Sequence, residues 1–566
     1  MNCIKVSLFF VLVLFAFGAS AASSVFNVPM SEDLRRNVSM FEEPRLIKVT
    51  DRVYLAYAFD LVNSVFVIGD DGVVVIDTLA RVENAQRALT ELRKITDKPI
   101  VAVIYSHGHF DHTGGSAAFV AKGGDSDISV YASENWPRYR QELVSPLYPM
   151  INRRLIEQVG FAVASPGVER YEHVLGPVYP KAVTLSYVTP NRTLSGRTRM
   201  TLAGVKFEIV PIPSEMDDEM VIWLPEEGVA YAADTMAQMF PFLATPRSEP
   251  SRSPRGFIKA KDIMLDWRPK HLLFGHGPAL TGKNAVRELI TNYRDVEQTL
   301  LDQTIAAINS GKTRDEAAAE VRLPPHLDKD PMLIDSYHRA SWVIKGLYSR
   351  LSGWFGNDAL ELIQHAPKEE ASRMILLAGG ANRMLQQAQT ALDEGDYAWA
   401  AQLASYLLRA DQNVVAARKA KIKAFTSLAA LTHSGNERYY LLSGALWLEN
   451  GGPIVPGFNQ ADHTSMVPTE EFIELLGPRL DLQRSADTLL TVNLDITDTQ
   501  EQFRLTVRRG VLERRMGKHE KPNLTLIMER KTLLAFTAGL VPVDTLLSDG
   551  AIRTRGDIGR LLALLN

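Results

Sequence analysis

A chain of 566 residues is too long for one hydrophobic core, so several domains are expected. With 46% apolar and 23% charged residues it has the make-up of an ordinary globular protein, and a formal net charge of −4 with no basic run argues against a nucleic-acid partner. Its single cysteine, Cys3, falls in the first apolar segment, so the mature chain would have no disulfide, thiolate ligand or cysteine nucleophile. Any metal must then be held by histidines and carboxylates.

Residues 1–21 read as an export signal: Lys5, then the apolar run VSLFFVLVLFAFG, then the small residues ASA for cleavage before Ala22. The run is shorter than the roughly 20 residues of a spanning helix, which favours cleavage over an anchor. A periplasmic or secreted protein without a stable membrane span is the expectation. From 22 to 310 strands and helices alternate. RVYLAYAF and NSVFVIGDDGVVVIDT read as strands, the latter a pair turning at Asp70-Asp71-Gly72. VENAQRALTELRKI is helical, PIVAVIY a buried strand, and GGSAAFVAKG the start of another helix. VKFEIVPI, MVIWLP, GVAYAAD and HLLFGHG follow as strands, and KNAVRELITNYRDVEQTLLDQTIAAINSG as a helix. This is an α/β layered domain with a mixed sheet. Residues 311–450 are almost entirely helical, with a hairpin resembling a tetratricopeptide unit around EGDYAWA. Tyr337, Trp342, Tyr348, Trp354 and Phe355 there read as core or interface. A Gly/Pro-rich linker spans 451–469, and 470–566 alternate like a sheet with one face covered by helices.

The chemistry concentrates in SHGHFDHTGG, directly after a strand. His107, His109, Asp111 and His112 occupy six positions, and imidazole nitrogens with a carboxylate suit Zn²⁺, two pairs suggesting two ions. Four ligands do not complete such a site. Glu215, Asp234 and His276 each follow an apolar strand, where an α/β sheet presents its site. Asp217, Asp218 and Glu219 crowd the loop of Glu215, and His271 sits at a strand start as a structural residue.

The order HxHxDH, acidic loop, Asp-Thr, Gly-His-Gly resembles the metallo-β-lactamase fold. Glutamate in the acidic loop, in place of a GH-loop histidine, resembles the alkylsulfatase family. So do FDLVNSVFVIGDDGVVVIDTL, the central YSRLSGWFGND and LAGGANRMLQQAQTALDEGDYAWAAQLASYLLRAD, and the C-terminal sheet. The resemblance covers nearly the whole mature chain. It implies an αββα metallo-β-lactamase sandwich, a helical dimerisation domain and an α+β sterol-carrier-like domain.

It also implies His107, His109 and Glu215 on one zinc, Asp111, His112 and His276 on the other, and Asp234 where the family has a bridging glutamate. Thirteen residues on, Arg247 falls where the family binds sulfate, with Arg252 and Arg255 as neighbouring candidates. An arginine fork matches a tetrahedral oxyanion. The implied activity is zinc-dependent hydrolysis of alkyl sulfates to alcohol and sulfate through a metal-bridging hydroxide, carried by Asp111, Asp234 and Arg247 in a homodimer. Two departures stand out: Asp at 234, and TMAQMFPFLATP where the family has a His/Asn-containing stretch that holds its leaving-group acid. Met236–Leu243 reads either as the wall of an alkyl channel or as core. Competing readings are another hydrolase on this scaffold (phosphoesterase, lactonase or β-lactamase) and an amphiphile-binding protein with a vestigial metal site.

Overall fold

A computed structural model describes residues 24–120, 128–136, 146–164, 168–180, 184–247, 252–452 and 468–565. The segment read as a signal, 1–21, and most of the 451–469 linker lie outside the described residues.

Seven strands make the first sheet, in the order Arg45–Lys48, Val53–Tyr57, Ser64–Ile68, Val73–Ile76, Ile100–Ile104, Ser129–Ser133 and Arg192–Leu194. The first four pair antiparallel and the remaining joins are parallel. The second sheet joins Thr198–Leu202, Val205–Pro211, Met220–Leu224, Val229–Tyr231, His271–Leu273 and Leu280–Thr281, with one parallel pair, Val229–Tyr231 beside His271–Leu273.

Side-chain alternation along the strands builds the layers. Val65, Val67, Val74 and Ile76 point between the sheets to meet Phe207, Ile209, Ile222 and Tyr231. Phe66, Val73 and Val75 point outward onto Ala85, Ala88 and Leu92 of helix Val82–Arg93. On the far side Ala230 and Leu272 meet Phe257 and Met264 of helix Pro254–Trp267 and Val286, Ile290 and Tyr293 of helix Lys283–Asn309. The result is the αββα sandwich. Its outer core runs past residue 310 to take in Leu333, Tyr337, Val343, Ile344, Leu347 and Tyr348.

One local expectation fails. GGSAAFVAKG yields only the 3-10 turn Ser116–Ala118 among the described residues. Gly114 and Gly115 are pressed against the carbonyls of Ala80 and Thr78, and Ser116 spends its hydroxyl on the Thr113 and Ser186 carbonyls, so these residues are tied to neighbouring loops.

Helices Ala381–Glu394, Tyr397–Arg409, Val414–Leu431 and Gly435–Asn450 then stack as sequential neighbours joined by short turns. Ala388, Ala400, Ala404, Ala417 and Ala424 let the backbones of the first three approach closely. Tyr337 and Tyr348 are buried, whereas Trp354 is 72% exposed. The C-terminal sheet centres on Leu489–Ile496, antiparallel to Gln502–Arg508 but parallel to Leu524–Met528, so it is mixed. Leu490, Val492, Leu494 and Ile496 face one way onto Phe472, Leu533, Phe536 and Leu561, giving the helix-covered face the alternation predicts.

Candidate metal centre

Parallel pairing fixes which side chains meet. Tyr231 stands opposite Leu273, so three residues further along each strand Asp234 and His276 emerge together. Ile76 stands opposite Ile104, which carries Asp77 to Ser106 and the histidine run. The main chain of Met220 donates to the Ser106 carbonyl at 2.8 Å, tying the Glu215 loop to the same edge.

All seven ligand candidates converge in two adjoining pockets. His107, His109, Glu215 and Asp234 place one donor atom each within 4.8 Å of one another, and so do Asp111, His112 and His276. In the first pocket His107 Nε2 and His109 Nδ1 are each 3.6 Å from Glu215 Oε2 and 2.7 Å from one another. Ligands about 2.1 Å from a tetrahedral ion stand about 3.4 Å apart, so this donor set fits a divalent cation.

In the second pocket Asp111 Oδ2 lies 3.6 Å from His276 Nε2 and 3.9 Å from His112 Nε2. Asp234 faces both pockets: grouped with His107, His109 and Glu215, it also sets Oδ1 3.4 Å from His112 Nε2 and Oδ2 3.1 Å from His276 Nε2. Among the described residues His112 Nε2 and Asp234 Oδ1 find no hydrogen-bond partner although both are buried, a costly condition that a bound cation would relieve. Gly275 makes this arrangement possible, because a Cβ there would come 2.2 Å from Asp234 Oδ1 and 2.9 Å from His112 Cε1.

Supporting residues orient the rings. His112 Nδ1 donates to Asp77 Oδ2 at 2.7 Å and His276 Nδ1 to the Leu61 carbonyl at 2.8 Å, which turns both Nε2 lone pairs into the pocket. Asp77 also accepts from Ser106 N, Ser106 Oγ and the Tyr231 hydroxyl. Glu219, fully buried, faces His107 Nδ1 at 3.6 Å and accepts from Asp234 N at 3.2 Å. Asp77 escapes sequence reasoning although VVVIDT ends like YAADT, an Asp-Thr at the close of an apolar strand.

Electrostatics follow this packing. Burial works against a charged His112, but Asp234, Asp77 and Asp111 outweigh it and hold its pKa well above the ordinary imidazole value. His276 is raised in the same way, mainly by Asp234 against its burial. Burial pushes Asp234 up, yet His276 and His112 prevail and keep it well below the carboxylate range. Glu219 is pushed well up by burial, with Glu215 and Asp234 adding to the shift. Protons thus collect where cations would, as expected of a negatively charged metal cage.

The three arginines separate clearly. Arg247 Nη2 lies 3.5 Å from both Glu215 Oε1 and His109 Nε2, at the edge of the first pocket. Arg252, only 1% exposed, is ion-paired with Glu215 and donates to the Phe242 carbonyl, while Arg255 faces solvent. Met236, Met239, Phe240, Phe242 and Leu243 are all buried in the outer core, so core packing is the role of that segment.

This edge-of-sandwich site defines a metallo-β-lactamase-superfamily scaffold, and that superfamily's model matches residues 57–276. Two further models, alkyl sulfatase dimerisation and alkyl sulfatase C-terminal, match residues 313–451 and 458–566. A linear primary-alkylsulfatase from a Pseudomonas strain is 29% identical over 483 residues, 83% of this chain and 91% of its own. An (R)-specific secondary-alkylsulfatase from Pseudomonas is 29% identical over 536 residues, 92% of this chain and 80% of its own. The solved structure of the stereoselective inverting sec-alkylsulfatase Pisa1 from Pseudomonas superposes with a TM-score of 0.80 at 27% identity, covering 97% of this chain and 88% of that one. The chain belongs to the metallo-β-lactamase-fold alkylsulfatase family.

Proposed function

We propose that this protein hydrolyses alkyl sulfate esters to an alcohol and inorganic sulfate, with two zinc ions held by His107, His109 and Glu215 and by Asp111, His112 and His276, and with Asp234 between them. The observation that carries the reading is the meeting of both pockets at Asp234, with Arg247 at their rim. Bound there, two Zn²⁺ would supply hydroxide near neutral pH and positive charge for the ester oxygens.

The chain's own residues do the rest. Arg247 offers its guanidinium fork to the sulfate oxygens and offsets charge as the ester bond breaks. Arg252 neutralises the outer oxygen of Glu215, leaving the other for the pocket. Asp77 and Glu219 hold His112 and His107 in the orientation each pocket needs. A mainly apolar cleft of about 350 Å³ begins at Pro246, next to Arg247, and is walled by Trp342, Phe425, Tyr440 and Leu441 of the helical region, with Glu437 its one charged lining residue. It supports an alkyl chain as the group attached to the sulfate. The match of 313–451 to a dimerisation model supports a homodimer, and the leader read at 1–21 supports export.

The test is sulfate release from primary and secondary alkyl sulfates by metal-loaded and chelated protein. Zinc-dependent release is expected, and running it in ¹⁸O water distinguishes carbon attack, which labels the alcohol, from sulfur attack, which labels the sulfate. No release from any alkyl sulfate with two zincs bound would overturn the reading.

A further inference from the structure

Behind the metal centre lies a buried charge pair that the mechanism above does not use. Lys261, on helix Pro254–Trp267, and Glu297, on helix Lys283–Asn309, are both 0% exposed and stand 2.7 Å apart. The Lys261 ammonium also lies 5.0 Å from the ring centroids of both Phe257 and Tyr293 and donates to the main-chain carbonyl of Thr235. Two well-packed apolar side chains would fill this space at least as stably as a buried ion pair. Helix packing alone therefore gives little reason for a lysine here. Among the described residues, its bond outside the two helices reaches the residue after Asp234.

That turn needs holding. Ala233 sits at φ +47°, a left-handed conformation that side-chain-bearing residues adopt only when the surroundings impose it. Thr235 closes the turn by donating from both its amide and its hydroxyl to the Ala232 carbonyl, at 3.1 and 2.8 Å. Asp234 has a single methylene, so its carboxylate goes where its backbone puts it. That backbone is pinned on one side by Glu219, which accepts from Asp234 N, and on the other by Lys261 at the Thr235 carbonyl.

We propose that Lys261, held in place by Glu297, is a positioning residue for the metal centre: it anchors the Thr235 carbonyl and so fixes the turn from which Asp234 faces both pockets. The inference rests on the metal-hydrolase reading of the site. It concerns how the Asp234 carboxylate is placed, not which atoms touch substrate.

The test compares wild type with the double variant Lys261→Met/Glu297→Met, which keeps apolar bulk and leaves no unpaired buried charge. Metal-free proteins are followed by thermal melting and by hydrogen exchange of the 229–240 peptide. Zinc affinity is read by competition with a chromophoric chelator, and Co²⁺-loaded protein by its visible absorption. The double variant is expected to melt within a few degrees of wild type, to exchange faster at 232–237, and to bind zinc about 10- to 100-fold more weakly with an altered Co²⁺ spectrum. Its kcat should fall with KM little changed.

Normal exchange, affinity and Co²⁺ spectrum in a folded double variant would overturn the proposal. Should that variant not fold, Glu297→Gln serves in its place: faster exchange at 232–237 and weaker zinc binding are expected, and wild-type values for both would overturn it. Failure of wild type itself to bind metal would instead sink the metal-hydrolase reading.

Discussion

Arg247 and Arg252 lie five residues apart and both face Glu215, yet the structure gives them different work, and replacing each with Met separates the two. Arg252 has a side chain 2% exposed, ion-paired to a Glu215 side chain that is 4% exposed. Removing it strands a buried carboxylate, which costs about 3–5 kcal/mol. At about 2 °C or more per kcal/mol for a domain of this size, the metal-free protein should melt on the order of 6–10 °C lower. Saturating zinc should restore part of the loss, because a cation beside Glu215 replaces the missing charge. Arg247 has a side chain 12% exposed and approaches Glu215 only to 3.5 Å, so Arg247→Met should shift the melting temperature by no more than a few degrees. In the proposed role it would lose the anion fork: two charge-assisted hydrogen bonds to sulfate, about 3–5 kcal/mol together. That is about two to nearly four orders of magnitude in kcat/KM for an alkyl sulfate, with zinc content unchanged. Differential scanning fluorimetry with and without zinc, metal analysis and steady-state kinetics on both variants make the comparison. The reasoning fails if Arg247→Met destabilises the protein as Arg252→Met should while keeping kcat/KM within tenfold of wild type.

Gly275→Ala should cost at least one metal ion per chain by elemental analysis, because the new Cβ would stand 2.2 Å from Asp234 Oδ1; two ions retained would show that the turn gives way instead. His173 is fully buried against Tyr439 and Tyr337, and burial depresses its pKa to about 3, with His276 adding to the shift. The unfolded chain binds this proton below about pH 6.5 and the native state resists until about pH 3, so its contribution is complete above pH 6.5 and is lost as pH falls, at about 1.4 kcal/mol per pH unit. Urea unfolding of wild type and His173→Phe from pH 7 to pH 5 should show a shallower decline in the variant, and parallel declines would assign the acid sensitivity to other groups. Leu441→Arg, which puts a charge into the apolar cleft beside Pro246, should raise KM for dodecyl sulfate at least tenfold more than for a short-chain sulfate; an equal change for both would place the chain elsewhere.

The sandwich was legible because its strands alternate: in NSVFVIGDDGVVVIDT successive residues do face opposite cores, as Val65 and Phe66 illustrate. The candidate ligands were legible for a different reason. Three histidines and an aspartate within six residues have few uses other than a metal, and Glu215, Asp234 and His276 each sit just beyond a strand. What stayed hidden was the layer that aims them. Asp77 acts on His112 from 35 positions away, a relation created by the parallel pairing of Val73–Ile76 with Ile100–Ile104. Glu219 was one of four acidic residues in a short loop, three of them buried, and only the folded geometry distinguishes it as the one that meets His107 and Asp234 N. Lys261 in PRGFIKAKDIMLDW shares a helix face with Phe257 and Met264, but side-chain periodicity alone does not show that the neighbouring helix offers Glu297 at the same depth. Ligands announce themselves by residue type, whereas their supports are ordinary residues made special by what packs beside them. The sequence departure at Asp234 belongs to both groups. Its identity says that the carboxylate arm is short, and only the structure shows how its turn sits, close against Gly275 with Lys261 bonded to the carbonyl of the next residue.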